Sequence, residues 1–444
     1  MKQNILRLSA PILLGAALSY GDLAAQTGET NPSEDIPSIE PYVVTPTKFP
    51  LSPEEAESAI TILPASDLEA RQVYNLEDAL RLAPGVIFAS SGQRGSNTSV
   101  FLRGTESDQT QFLIDGIRVS DSNILPNNFL GGASSHGLRA VEVLRGPQSA
   151  LYGGSAIGGV ISLWTPKGSG RPDGQFDVLA GSFGSALLRA SSQGEQGKLA
   201  YSVSTEWEQT DNHRINNEFE NFSYATRLDW SLAPSTTLGM TVRGAQRTYG
   251  SPGDINTNDP DNRDVEDFRL FTLFLDHQWN HRLSSRWTAG LLRQDLDFEN
   301  PPFGTTRLEN QKFVVDWQNT LSWADDQHHT VIGTNFEESS VFNSGFGSID
   351  ERERLFALYG QQSFRIGDHL SLTGGLRWED YDTFGEAVTW RTTSAYELPF
   401  WGTVLRGSAG TGFRAPSFFE LFATSTSFEG NPDLEPEESF GWDL

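Results

Sequence analysis

The chain has 444 residues, 32 Lys and Arg against 58 Asp and Glu, a net charge of −26 and no cysteine. So acidic a chain offers no basic face for nucleic acid, and without Cys it has neither disulfides nor thiolate metal sites. Mean hydropathy is −0.39 and no apolar run is long enough for a membrane-spanning helix, a test that transmembrane β-barrels escape because each strand shows only one face to lipid.

Lys2 and Arg7 precede an apolar run from residue 8 to 18, followed by small residues up to Ala24-Ala25. That pattern predicts a secretory signal peptide over residues 1–25. The polar, acidic stretch 26–40 is expected to be disordered. Next, Tyr42-Val43-Val44-Thr45 combines strong β propensity with flanking prolines at 41 and 46. Two readings stay open for it: an extended segment that adds to the edge of a partner's sheet, or the first strand of the following domain.

A mixed α/β region follows. Ser66 is placed as the N-cap of a helical turn over 67–70, and Asn75 as the cap of a helix over LEDALRLAPGV that stops at Ala83-Pro84-Gly85. Leu76, Ala79, Leu80 and Ala83 share its apolar face. Short strands are expected at 87–88, 100–102 and 112–114, the last turning at Asp115-Gly116 into 117–119 as a hairpin. Arg103-Gly104 and Arg145-Gly146 each end a strand on a charge, and surface ion pairing is an open role for both arginines. The stretch 139–163 reads as a strand, a Gly146-Pro147 helix start, a Gly-Gly stop and a second apolar strand. Its glycines lack the Lys-Ser/Thr of a phosphate loop and the dinucleotide spacing, so they are expected to serve turns and close packing.

From about residue 174 the chain alternates with period two. Phe222, Tyr224, Thr226, Leu228 and Trp230 oppose Ser223, Ala225, Arg227 and Asp229, and the same pattern runs through 199–208 and 312–323. A soluble sandwich also alternates, but two features favour a barrel in lipid. Trp230, Trp279 and Trp323 each precede a short polar turn, as an interfacial girdle requires. Connections also alternate in length: short at 193–198, 233–236, 280–285, 324–327, 367–369 and 399–402, longer at 211–221, 250–267, 300–306, 339–351 and 413–434. Carboxylates such as Glu206, Glu208 and Asp316 then line a polar lumen. The rhythm predicts about fourteen strands. Nothing at Trp442-Asp443-Leu444 looks like a closing strand, so the chain is expected to be part of a longer protein.

Together these residues resemble the TonB-dependent outer-membrane receptors. Tyr42-Val43-Val44-Thr45, beside Pro41, looks like the TonB box. LEDALRLAPGV, FLRGTESDQTQFLIDGIRVSD (101–121) and residues 139–163 match the plug motifs, with Arg103, Gly104, Asp115, Gly116, Arg145, Gly146 and Pro147 as motif residues. Residues 412–441 match a barrel motif. The resemblance implies an all-β transmembrane antiparallel β-barrel, 22-stranded in the family, with an N-terminal α/β plug domain in the lumen; about eight strands would then lie beyond this chain. The implied division is signal peptide 1–25, a flexible periplasmic segment with the TonB box 26–46, plug 47–167 and partial barrel 168–444. It implies active uptake across the cell outer membrane, with TonB and its inner-membrane energising complex, outer-membrane lipid and a small-molecule ligand as partners.

The segment VVTPTKFP (43–50) and the modest spacing of the barrel strands look most like the vitamin B12 branch, making cobalamin or a related corrinoid the expected ligand, with a ferric siderophore, whose receptors share the same plug motifs, as the alternative. That branch implies no cofactor but a structural Ca²⁺ in acidic loops, here carried by Asp254, Asp259, Asp261 and Asp264; a solvated acidic loop is the competing reading. A passive porin would need neither TonB box nor plug, and a β-rich surface binding protein would not explain the tryptophans. No enzyme is expected: the seven histidines are scattered and no nucleophile or paired-carboxylate constellation stands out.

Overall fold

The computed structural model describes residues 46–52, 56–123, 128–254, 256, 258–301, 303–325, 327–367, 369–399, 403–425 and 428–444. The expected signal peptide, the polar tether and the segment from Pro41 to Thr45 lie outside the described residues.

The first architecture is a five-stranded sheet with short helices. Its elements are β1 (Ile60–Pro64), α1 (Ala65–Ala70), α2 (Leu76–Arg81), β2 (Val86–Ser90), β3 (Thr98–Leu102), β4 (Thr110–Ile114), β5 (Ile117–Arg118), β6 (Ala140–Arg145), α3 (Ser149–Tyr152) and β7 (Gly159–Trp164). Strand order is β1-β6-β7-β4-β5, with β2 and β3 paired separately, and only β4 and β7 run parallel. Asn75 caps α2 as expected, its side chain accepting the Asp78 N–H. Ser66 is not the cap of α1: the helix starts two residues earlier than expected, at Ala65 behind Pro64, whose φ of −65° and lack of an N–H suit a helix entry. The Asp115-Gly116 hairpin forms with φ of 50° and 86°, the left-handed pair that a two-residue turn needs.

Burial in β6 is two-sided rather than alternating. Val141 and Val143 join Leu76, Leu80, Phe112 and Ile161 in one core. Leu144 on the other face joins Leu113, Leu151 and Val160 in a second core that includes Val331 and Tyr359 of the surrounding wall. A sheet enclosed by a wall has no solvent face, so the one-sided pattern of an exposed antiparallel sheet is lost.

The wall is a single antiparallel sheet of fourteen strands in sequence order: β8 (Asp173–Ala180), β9 (Ala186–Gln196), β10 (Leu199–Thr210), β11 (Phe219–Ala233), β12 (Thr236–Gly250), β13 (Arg263–Gln278), β14 (Leu283–Asn300), β15 (Gly304–Trp323), β16 (His328–Asn343), β17 (Ile349–Ile366), β18 (Leu370–Tyr381), β19 (Gly385–Leu398), β20 (Thr403–Arg414) and, after the short helix α4 (Phe418–Phe422), β21 (Glu437–Asp443). The expected alternation holds. Phe313, Val315 and Trp317 are exposed on the outer face, while Lys312, Val314 and Gln318 are buried on the inner one. Such a large exposed apolar surface is a liability in water and a requirement in lipid.

One expectation fails in detail. The predicted long loops at 300–306 and 339–351 shrink to residues 301–303 and 344–348 because the flanking strands continue to pair. β15 has 20 residues, against the roughly 9–11 that cross a bilayer. Polar, alternating sequence such as Glu337-Glu338-Ser339-Ser340 satisfies its backbone by strand pairing, so strands extend past the membrane where loops were expected.

The short turns all fall on one rim, with Trp230 and Trp323 at the adjoining strand ends. Residues 46–49 lie at this same rim, against Gln327, His329 and Phe364.

Candidate functional site

Among the places where the inner domain meets the wall, three involve residues singled out in the sequence. The first lies just past the expected TonB box. Lys48 takes a left-handed φ of 59°. Its ammonium sits 3.6 Å from the Asp316 carboxylate and 3.9 Å from the centre of the Tyr359 ring. The Gln318 side-chain amide donates to the Lys48 carbonyl at 2.8 Å, and Phe49 packs on His329 with centroids 4.6 Å apart. Burial strips water from the ammonium and lowers its pKa to about 8, outweighing the attraction of Asp316.

The second place gathers the plug motif residues. Arg103, at the positive-φ turn with Gly104, pairs with Asp443 of β21. A Cβ on Gly146 would come within 2.8 Å of the same carboxylate, and Pro147 packs on Gly441. Arg145 does not reach the wall: it donates to the Thr61 hydroxyl and the Pro84 carbonyl. Asp115 is buried and has a structural task, accepting both the N–H and the hydroxyl of Thr165 at 2.8 and 2.7 Å.

The third place is the opposite rim. The N–H groups of Phe418 and Phe419, at the start of α4, donate to the carbonyls of Ser122 and Asn123 at 3.1 and 3.2 Å. Ser417 and Glu420 form a capping box. Arg414 ties the region together, lying 3.2 Å from Asp108, 2.9 Å from Glu420 and 2.6 Å from Glu437. Burial alone would raise the Glu420 pKa, but donors from Arg414 and Ser417 hold it at about 2. Sequence reading placed this stretch only as a barrel motif. Its Ser-x-x-Glu spacing was the available sign of a helix start, but the plug carbonyls it meets are some 300 residues away in the chain.

Asp121, beside those carbonyls, shows a pH effect. Burial raises its carboxyl from 3.8 to about 6, although the Asn123 N–H bond opposes the shift. Below pH 3.8 the group is protonated whether the chain is folded or not, so no penalty applies. Between 3.8 and about 6 the unfolded chain ionises first, and folded-state stability falls as pH rises. Asp121→Asn is expected to gain about 2 kcal/mol at pH 7 and to flatten this window. Urea titration at pH 4 and 7 checks it; equal pH dependence in variant and parent removes the assignment.

The proposed calcium ligands do not form one cage. Asp254 and Asp259 cap local turns, accepting N–H groups of Asn256 and of Asp261 and Asn262. Asp264 belongs to β13 rather than to the loop. Among the described residues no group of three or more His, Asp or Glu converges on a metal position.

Two cavities complete the geometry. One of about 690 Å³ opens at the short-turn rim between Lys48, Arg282 and Ser284. The other, of about 320 Å³, lies beneath α4 beside Asp121 and Tyr381.

These features have counterparts in known proteins. The family model described as TonB-dependent Receptor Plug Domain matches residues 52–160, and that described as TonB dependent receptor-like, beta-barrel matches residues 200–444. The Vitamin B12 transporter BtuB of Photobacterium profundum is 26% identical over 442 residues, 97% of this chain and 70% of its own. Its namesake in Vibrio vulnificus is 26% identical over 467 residues, 100% of this chain and 72% of its own. The fold is similar to a solved mutant of the ferric enterobactin receptor PfeA from Pseudomonas aeruginosa in complex with enterobactin, with TM-score 0.72 and 20% identity over 86% of this chain and 68% of that one. The siderophore receptor PirA from the same organism superposes with TM-score 0.68 at 20% identity, over 86% and 70%. An enclosed α/β sheet followed by an antiparallel wall with an apolar outer face is thus matched in chain order by a plug model and a barrel model, and the chain belongs to the TonB-dependent receptor family of outer-membrane transporters.

Proposed function

We propose that this receptor takes up cobalamin or a related corrinoid, captured at the loop rim and released inward when TonB pairs with residues 41–45. The observation that carries the reading is the likeness, over almost the whole chain, to two vitamin B12 transporters. The loop chemistry supports it. Residues 251–262 hold three acids and residues 415–436 four, with no Lys or Arg in either stretch. An anionic iron chelate would meet like charge there. Phe419 stacks on Phe428 at 5.0 Å and meets Phe346 edge-on at 5.1 Å, an aromatic surface suited to a flat macrocycle. A ferric siderophore is the second reading, favoured by the fold shared with siderophore receptors.

Binding to outer-membrane vesicles carrying the protein separates the two. Saturable cyanocobalamin binding that excess ferric enterobactin does not displace is the expected result. Saturable ferric enterobactin binding without cyanocobalamin binding would install the second reading.

A further inference from the structure

The two cavities share two lining residues, Arg118 and Glu337. Arg118 belongs to the plug and Glu337 to β16. The guanidinium donates to one carboxylate oxygen at 3.0 and 2.7 Å, and Lys312 of β15 lies 3.0 Å from the other. Lys312 and Glu337 are buried and Arg118 is largely so. Lys312 also donates to the Ser120 carbonyl of the plug at 3.4 Å. A chamber facing the loop rim and a larger one facing the short-turn rim are therefore separated by one ion cluster.

We propose that the ligand passes along the β15–β17 wall and that the Arg118–Glu337–Lys312 cluster is the gate of this path. The plug side of the gate is suited to moving. β5 is two residues long and lies at the sheet edge, paired through Leu113 with Arg118 and Ile114 with Ile117; the Val119 N–H continues the pairing to the Phe112 carbonyl, and Ile117 and Val119 reach into the plug core. Swinging it aside leaves the β1-β6-β7-β4 ladders intact, so opening needs local rather than global unfolding. The cluster supplies the restraint: among the described residues Glu337 is the carboxylate in ion-pair contact with both Arg118 and Lys312, and without its charge the two cations face each other with only longer-range attraction from Glu353, Glu379 and Asp121. Six strands away, Arg94 of the plug pairs with Glu208 of β10 at 2.7 Å. This pair holds the plug to the wall away from both cavities and stays closed during passage.

The native chain has no cysteine, which permits a matched test in cells. Arg118→Cys with Glu337→Cys, joined by a short thiol-to-thiol crosslinker, is expected to bind cyanocobalamin normally but to lose its uptake. Arg94→Cys with Glu208→Cys, joined in the same way, is expected to keep uptake within about twofold of the parent, since local opening leaves that contact untouched. Uptake through the first lock, or equal loss with both, overturns the gate, because in the latter case the plug moves as one body. This arm rests on the cobalamin reading, so a second arm needs no ligand. With Ser284→Cys as reporter in the inner chamber, a bulky membrane-impermeant maleimide is applied outside the cells. Adding Glu337→Gln is expected to speed labelling by about tenfold, and joining residues 118 and 337 to abolish it. An unchanged labelling rate with Glu337→Gln overturns the proposal even if cyanocobalamin is not the ligand.

Discussion

Val44→Pro is expected to cut uptake to background while ligand affinity stays within about twofold of the parent. Strand addition uses the backbone of the added segment, so most side-chain changes at residues 42–45 are expected to be tolerated. Proline differs because it removes an N–H from the ladder and blocks the paired geometry. The segment's position explains why the defect is confined to transport. Four residues further on, Lys48 is held by Asp316, Tyr359 and the Gln318 amide, and the chain then enters the plug sheet at Ile60. Tension applied at 41–45 thus reaches the wall contact first and the sheet next. On the proposed reading the ligand is captured at the opposite rim, which the substitution does not touch. Val44→Ala, which retains the N–H, is expected to transport normally. Parent-like uptake by the proline variant, measured with labelled cyanocobalamin beside a binding isotherm, would show that TonB engages some other segment.

The second large effect concerns two glycines that look alike in the sequence. Gly159 has a φ of 150°, and a Cβ there would stand 2.1 Å from the Leu144 carbonyl oxygen and 2.5 Å from Leu102. The obstructing carbonyl belongs to β6, which is paired to β7 and enclosed by the wall, so it has nowhere to retreat. Gly159→Ala is expected to destabilise the plug by about 3 kcal/mol or more. Gly104 also has a positive φ, 77°, but nothing lies within 4 Å of its Cβ position; Gly104→Ala is expected to cost only about 1 kcal/mol of backbone strain. The urea midpoint for proteolytic cleavage of the plug, in protein held in the outer membrane, compares them. Equal midpoints would mean that the close approach to Leu144 does not constrain the fold.

Much of the architecture was legible in the chain because it depends on local chemistry. Period-two alternation of large outward residues with polar inward ones follows from the pleat, and it placed Phe313 and Trp317 on the lipid side and Lys312 and Gln318 in the lumen. The Asp115-Gly116 turn and the Asn75 cap are likewise properties of neighbouring residues. Legibility failed first where strand pairing, rather than residue type, decided the outcome. The strands at 300–306 and 339–351 outran their predicted ends because pairing with a neighbouring strand is as favourable for polar residues as for apolar ones. Asp264 read as part of an acidic loop until its pairing with Tyr249 placed it in β13.

The candidate site divides in the same way. The segment 41–45, the glycine-rich plug motif and the arginines at 103 and 145 announce themselves through residue type and spacing. Arg118 and Glu337 do not: each is an ordinary charged residue on an alternating strand, 219 positions from its partner. Arg145 illustrates the converse, since a motif arginine with the same local context as Arg103 remains within the plug while Arg103 reaches Asp443. The sequence by itself determined the order of plug and wall and which face of each strand meets lipid, because backbone periodicity and turn preferences act over a few residues. Only the tertiary structure decided which plug charge meets which wall charge, because those contacts depend on how one folded body sits inside another.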